Sequence, residues 1–499
     1  MNSSPEAVVI GSGFSGLASA CTLAAKGFAV TILEKNSSGG GRARKFEQDG
    51  FVFDMGPSWY WMPDVFESFF NRFGKSVRDY YELVRLDPSY RIFFAENKRF
   101  DVPASVQQLG EAFEAMETGS AKKLRLFLEE ARYKYEIGIN SLVYKPGLSL
   151  REFADRKLIG GIFRLDVFRS MHAHIRSYFS HPQIVQMLEF PVLFLGETPK
   201  NTPALYSLMN YADIALGTWY PQGGMYKIVD GMRQLAESLG VKIEYGAQVE
   251  KIDVQNGRAT GVRCNGGFRE ADIVIGAADY HHVEQNLLDP EWRRYDESYW
   301  QSRRLAPSSL IFYLGINKRL KNLLHHNLFF DESFDAHAAE IYDRPAWPER
   351  PLFYVCCPSV TDASVAPAGC ENLFVLIPVA TGLEDEDATR EKYFELIIRR
   401  LERITGQEIR EHIVYKKSYA HRDFISDYNA YKGNAYGLAN TLKQTAMFKP
   451  SLKSKKVSNL YYAGQLTVPG PGVPPSIISG IVAGELAAKE NLQKSSVTT

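Results

Sequence analysis

Ala7, Val8, Val9 and Ile10 form a short apolar run that stops at a glycine, the pattern of a buried parallel strand. Phe14, Leu17, Ala18, Cys21 and Ala25 then recur at helical spacing until Gly27 ends the helix. Residues 28–33 form a second apolar run, which ends at Glu34. Strand, helix and strand within about 30 residues is the length of a βαβ unit. Residues 106–215 read as mainly helical, with charged faces such as Lys122-Lys123 and Glu129-Glu130. Strand character returns over 241–250, and residues 249–254 and 259–263 alternate around Gln255-Asn256-Gly257, a hairpin signal. Residues 273–278 predict another buried strand, and 310–314 and 373–379 are later candidates. A last strand at 460–463 leads through a Pro/Gly-rich loop into a helix from 476 to about 489, with 494–499 expected to be a disordered tail.

This order predicts a mixed α/β fold. A Rossmann-like nucleotide-binding domain is assembled from the discontinuous segments 1–105, 220–290 and 450–493. A substrate-binding domain of sheet and helices is inserted as 106–219 and 291–449. A chain of 499 residues supports roughly two to three units of ~150 residues.

Lys plus Arg and Asp plus Glu both number 58, so no basic surplus argues for a nucleic-acid partner. The five cysteines are scattered with no CxxC pair, which speaks against a disulfide framework or a zinc site and fits a reducing, cytoplasmic setting. Cys21 reads as helix core and Cys356-Cys357 as strand core. The first strand leaves no room for a signal peptide, and no run of ~18 apolar residues predicts a membrane-spanning helix. The 30 Phe and 27 Tyr suffice for a large aromatic core or an apolar site.

Three segments carry chemistry. Gly11-Ser12-Gly13-Phe14-Ser15-Gly16 follows a strand, opens a helix, and precedes an acid, Glu34, at the end of the next strand. That is the full context of a dinucleotide-binding turn. Gly11 permits the tight turn, Gly13 lets a pyrophosphate approach the helix N-terminus, Gly16 permits close packing, and Glu34 accepts hydrogen bonds from a ribose. Gly39-Gly40-Gly41-Arg42-Ala43-Arg44 follows, where glycines let backbone pass a cofactor and Arg42 can reach a phosphate. Asp54-Met55-Gly56-Pro57-Ser58 then turns into Trp59-Tyr60-Trp61, aromatics that face either a ligand or the core. Last, 459–464 and Pro469-Gly470-Pro471-Gly472-Val473-Pro474-Pro475 place a strand, a stiff loop and a helix so that backbone amides meet a ligand.

Taken together, the chain resembles the flavin-dependent amine oxidase superfamily, and within it the bacterial-type carotenoid desaturases, especially the phytoene desaturases. The resemblance is carried by 9–16, Glu34 with 40–43, 53–58, Trp219-Tyr220-Pro221-Gln222-Gly223-Gly224-Met225 and 464–475, and it spans nearly the whole chain. Gly39 stands where a proline is common, and Gln465-Leu466-Thr467 falls where related enzymes vary. The resemblance implies FAD as sole cofactor, a C40 polyene substrate, quinone or oxygen as electron acceptor, and peripheral attachment to a membrane surface. Its cofactor-binding residues map to Gly11, Ser12, Gly13, Phe14, Ser15, Gly16, Glu34, Lys35, Gly40, Gly41, Arg42, Gly56, Pro57, Ser58, Val249, Gly464, Gly472, Val473 and Pro474, with Val249 meeting adenine through its backbone. Arg151 and Asp155 lie in a family-like segment and are candidates for acid–base work.

Such a reaction needs no catalytic triad, because the flavin accepts a hydride and the polyene delocalises the charge left behind. No metal site is expected either. His281-His282 and His325-His326 are adjacent pairs, and neighbours on a strand face opposite sides, so both pairs read as surface or helix-end residues. Ile159, Phe163, Val167, Met171, Ile175 and Phe179 recur every four residues with Arg164, Arg169 and Arg176 between them, a pattern that suits a membrane interface or, as for most such stripes, core packing. The leading function is stepwise desaturation of phytoene towards lycopene. Alternatives are a desaturase of a later carotenoid, a carotenoid isomerase, an amine oxidase, and a non-enzymatic prenyl-lipid escort.

Overall fold

A computed structural model describes residues 4–95, 98–149, 152 and 165–497. Its first sheet is five-stranded and wholly parallel, in the order Leu460–Tyr462, Ile273–Gly276, Glu6–Ile10, Ala29–Glu34, Lys242–Tyr245. Strands from both ends and the middle of the chain thus share one sheet. They are short and apolar because both faces are covered. The opening helix Phe14–Ala24 and the closing helix Val473–Val497 pack on one face so closely that a Cβ on Gly480 would lie 2.2 Å from the Ser15 carbonyl oxygen. On the other side lies the three-stranded hairpin sheet Val249–Gln255, Arg258–Cys264 and Gly267–Glu270. Asn256 and Gly257, both at positive φ, make its first turn as expected.

A second sheet has seven strands, in the order Ile413–Tyr419, Ser308–Ile316, Glu371–Val379, Phe353–Cys356, His326–Phe330, Tyr90–Phe94, Arg99–Val102. All its pairings are antiparallel except that between His326–Phe330 and Tyr90–Phe94. Leu310, Phe312, Leu314, Leu373, Val375 and Ile377 face the long helix Asp387–Thr405 through its Tyr393, Phe394, Ile397 and Leu401. The alternate residues face back towards the first sheet, and between the two lies the site.

The structure departs from the sequence pattern at several places. Tyr90–Phe94 and Arg99–Val102, placed by the boundary at residue 105 with the nucleotide-binding segments, belong to the seven-stranded sheet. The closing helix starts three residues before the expected position and runs through Val497, into the segment expected to be a tail. His325 and His326 are not surface residues: both are buried, and His326 begins a strand. His281 and His282 do sit near a helix start, in Tyr280–Asn286. Of the amphipathic stripe, Met171, Ile175 and Phe179 are fully buried in the core and the helix is only Met171–Arg176, so this part packs inward. Ile159, Phe163 and Arg164 lie outside the described residues, as do both candidate acid–base residues, Arg151 and Asp155.

Candidate active site

The carboxyl ends of the parallel strands open into one cavity of about 440 Å³. Ile10-Gly11, Leu33-Glu34, Ala277 and Ala463-Gly464 all line it. In an open parallel sheet the ligand crevice lies at these ends, where the chain order reverses on either side of the first strand. Of the residues the sequence assigns to a cofactor, Gly11, Gly13, Phe14, Ser15, Glu34, Lys35, Gly40, Gly41, Arg42, Gly56, Pro57, Ser58, Val249, Gly464, Gly472, Val473 and Pro474 line the cavity. Ser12 and Gly16 stand just behind them.

Gly16 has no room for a side chain: its Cβ would lie 2.0 Å from the Gly11 carbonyl oxygen. Gly13 is the opposite case, with nothing within 4 Å of the Cβ position. A side chain there would fill the space in front of the helix N-terminus, where unpaired N–H groups and the helix dipole favour a phosphate.

Glu34 is 4 % exposed and held at both oxygens. Its Oε2 accepts from Ser12 N at 2.9 Å and Ser12 Oγ at 2.7 Å, and its Oε1 from Asn36 N at 2.9 Å and Asn36 Nδ2 at 3.1 Å. The two backbone bonds fix the carboxylate, and the two side-chain donors are the bonds a ribose diol could replace. Val249 lies beside it with Ala247 and Gln248, and Ala247 N donates to the Glu34 carbonyl at 2.8 Å. Lys35 differs from expectation in detail, because its Nζ donates to the Ser426 carbonyl at 2.6 Å and so ties the cavity wall together.

Arg42 lines the cavity directly after Gly40-Gly41. Its Nη2 donates to the Asn434 carbonyl at 3.2 Å and stands 4.0 Å from Asp279, while its buried Nε has no partner. Burial pulls its pKa down, and Asp279 and Tyr428 work against that. An orphaned donor beside an open glycine cradle is what an anionic cofactor would satisfy. At the far edge, the closing helix presents Gly472, Val473 and Pro474, with prolines at its second and third positions removing two N–H groups that would otherwise need partners. Gly464 N donates to Ser479 Oγ at 3.0 Å, locking the loop onto that helix.

The other end of the cavity is apolar. Trp59 and Trp61 both reach it, whereas Tyr60 between them is fully buried against Phe66, at 4.2 Å between ring centroids. Phe190, Leu328, Phe330, Phe334, Leu352 and Leu376 complete the chamber. His337 is structural there: its Nε2 donates to the Pro378 carbonyl at 2.8 Å, its Nδ1 accepts from Leu352 N at 3.0 Å, and burial brings its pKa to about 4. Among the described lining residues, the carboxylates Glu34, Asp279 and Asp427 all sit at the glycine-turn end, and none faces the chamber.

Sequence reasoning missed four contributors. Asp279 caps the helix Tyr280–Asn286 and faces Arg42. Its position between a strand and a helix was a legible capping signal. Asp427 and Tyr428 close over the arginines, Asp427 as the ion pair of Arg44 and Tyr428 with its ring 5.4 Å from the Arg42 guanidinium and 5.3 Å from that of Arg44. No pattern in the sequence announces them. Asp54 joins two motifs quoted separately above, because its carboxylate accepts from Met225 N at 2.7 Å and Tyr226 N at 2.9 Å and so docks the Gly223-Gly224 turn. Burial raises its pKa to about 6.

The glycine cradle, the fixed acid, the unsatisfied arginine and the adjoining chamber fit FAD. When bound, FAD supplies two-electron redox chemistry. Residues 14–487 match the family described as flavin containing amine oxidoreductase. A carotenoid 3,4-desaturase of Haloarcula japonica is 43 % identical over 96 % of this chain and 97 % of its own length. A zeta-carotene-forming phytoene desaturase of Myxococcus xanthus is 34 % identical over 96 % and 93 %. An oxidoreductase structure from Methanosarcina mazei shares the fold, with a TM-score of 0.65 at 17 % identity over 96 % of this chain and 100 % of that one. The chain belongs to the flavin-containing amine oxidoreductase family, with FAD as its cofactor and carotenoid desaturases among its relatives.

Proposed function

We propose that the protein is an FAD-dependent desaturase of an acyclic C40 carotenoid. The observation that carries this reading is the continuity of one cavity from the glycine turn to a chamber walled by aromatic and aliphatic side chains, with no carboxylate facing the chamber among the described lining residues. A carotene has no polar group to recognise, so shape and apolar contact must hold it. The same lining argues against an amine oxidase, whose charged substrate calls for a facing anion or an aromatic cage beside one. The intact glycine set and Glu34 argue against a lipid escort with no redox role.

Chemically, desaturation removes a hydride and a proton from adjacent carbons. The chain's part is to hold the reacting bond against the cofactor, keep water out, and receive the proton. Arg151 and Asp155 remain the proposed acid–base residues. The electron acceptor is a quinone or oxygen. Phytoene conversion towards lycopene is one step that fits. The 43 % identity to a carotenoid 3,4-desaturase, against 34 % to a phytoene desaturase, favours a later, already conjugated carotenoid as the better substrate.

An apolar substrate of this size resides in membrane, so the reading includes peripheral attachment. Among the described residues no helix is long and apolar enough to cross a bilayer. Leu148 and Phe448 are exposed at 41 % and 58 %, on segments that meet where Gly147 abuts Ala446, and this patch is the proposed contact. The test is anaerobic incubation of FAD-loaded protein with phytoene or with a conjugated acyclic carotenoid in liposomes, with added quinone, followed by pigment chromatography. Red-shifted products from the conjugated substrate at the higher rate support the reading. Products from phytoene alone reverse the choice of step, and peroxide from amines without pigment change overturns desaturation.

A further inference from the structure

Behind the wall of the chamber lies a cluster that the flavin chemistry leaves unused. His325 and His326 are sequence neighbours, yet their rings lie 4.5 Å apart between centroids. They converge because His325 precedes the strand that His326 begins, so strict alternation does not apply to the pair. His326 is directly opposite Cys356 across the antiparallel pairing, which puts those two side chains on the same side of the sheet. The three residues are 3 %, 0 % and 2 % exposed. Each offers one donor atom, and the three atoms lie within 4.8 Å of one another.

The two imidazoles are held alike. His325 Nδ1 is 2.8 Å from Thr361 Oγ1, and His326 Nδ1 is 2.6 Å from Tyr354 Oη. Both Nε2 atoms are buried with no hydrogen-bond partner. One ring nitrogen anchored to an oxygen and the other left bare is the arrangement of a metal-ligating histidine and its supporting shell. Orientation is further fixed by Trp59, stacked on His326 at 4.0 Å and 10°, and by Tyr220, 4.5 Å from His325.

We propose that His325, His326 and Cys356 form a binding site for one thiophilic metal ion, copper(I). Binding forms one sulfur–copper bond and two nitrogen–copper bonds and releases the thiol proton to solvent. No electron is transferred. The choice of ion follows from charge and donor softness. One thiolate and copper(I) make a neutral group, suited to a buried apolar setting, whereas zinc(II) with the same donors leaves a buried positive charge and calls for a fourth ligand. Metal–donor distances of ~2.0–2.3 Å put three trigonal donors roughly 3.5–4.0 Å apart, inside the 4.8 Å limit on their separation here. The bound ion would clamp the strands His326–Phe330 and Phe353–Cys356 behind Trp59 and Tyr354, two residues of the cavity wall. A second cluster, Glu130, Asp166 and His174, is a poorer candidate because the Lys134 ammonium already lies 3.0 Å from Asp166.

FAD-loaded protein is titrated anaerobically with copper(I) against a chromophoric chelator, and protein purified from copper-supplemented cells is analysed for metal. The expected result is one copper per chain with a near-ultraviolet thiolate charge-transfer band. Cys356→Ser and His326→Gln should each weaken binding by on the order of 100-fold, and Thr361→Val by ~10-fold through the supporting shell. Cys370→Ser should bind as the parent does. Unchanged FAD content and melting temperature certify that a variant is folded, and Thr361→Val, which keeps all three donors, decides the matter if the donor variants do not fold. Copper left wholly with the chelator in the parent and absent from the purified protein overturns the proposal. So does binding unaffected by Cys356→Ser and Thr361→Val, and so does uptake of zinc(II) in preference to copper(I).

Discussion

The two ends of the cavity are built by opposite means. At the glycine turn, polar atoms are fixed by backbone: Glu34 is pinned by Ser12 N and Asn36 N, and Gly16 by contact with Gly11. At the chamber, position is set by packing of Trp59, Phe190, Leu328 and Phe330 on one face of a sheet, with few polar contacts. The first end recognises a defined polar ligand, and a change of a single atom there is felt. The second, on the proposed reading, accommodates a long apolar one and tolerates exchange of one hydrophobe for another. The lesson is that cofactor affinity and substrate choice should be separable by mutation.

The largest expected effect is at Gly16. Gly16→Val should yield protein without bound flavin, seen as loss of the visible flavin spectrum, because the new side chain overlaps the Gly11 carbonyl. Next, Glu34→Ala should lower FAD affinity by about 10–100-fold, on the order of 1.4–2.7 kcal/mol. Excess FAD should restore the reaction, as a fluorescence titration run beside a turnover assay will show. At the other end, Phe330→Ala should raise the KM for the carotenoid by roughly tenfold, on the order of 1.4 kcal/mol, while leaving FAD affinity alone. If both parameters moved together in either variant, the separation would be wrong.

The remaining effects fall on stability rather than on ligand binding and concern two buried ionisable groups. Burial raises Asp213, bonded to Tyr90 Oη at 2.7 Å, to about 7. Between the ordinary carboxyl range and that value the folded chain keeps a proton the unfolded chain has lost, so stability falls as pH rises through this window. Asp213→Asn should therefore stabilise near pH 8 and do little near pH 4, by thermal melting. Lys449, buried and without a hydrogen-bond partner, is pulled down to about 7 from 10.5. Its cost is full below pH ~7 and fades as the unfolded lysine also deprotonates, so Lys449→Met should stabilise most on the acid side.

The glycine-turn end of the cavity was legible in the sequence because its signals are local. Turn glycines, helix start and Glu34 fall within one βαβ unit, and each residue type has a backbone reason to be there. Asp427 and Tyr428 were not legible, since they reach Arg44 and Arg42 only through the tertiary fold. The strand Tyr90–Phe94 was hidden by Arg91, a charge in a buried strand made tolerable by bonds to Asp101 at 2.5 and 2.6 Å on the neighbouring strand. The strand His326–Phe330 was hidden by its polar start, His326-Asn327. Ser308–Ile316 and Glu371–Val379 gave continuous apolar runs because both their faces are buried, so their existence was visible but not which residues face the chamber.

The proposed function requires that a polyene seated in the apolar chamber lose two electrons, which FAD would accept if held by the residues of the glycine turn. A single-turnover experiment tests it most directly: anaerobic FAD-loaded protein is mixed with a conjugated acyclic carotenoid in liposomes without acceptor, and the flavin and polyene spectra are followed together. Bleaching of the oxidised flavin in step with a red shift of the polyene, one new double bond per flavin, is the predicted result. A polyene whose spectrum is unchanged while the flavin stays oxidised, for phytoene as for the conjugated substrate, would contradict it.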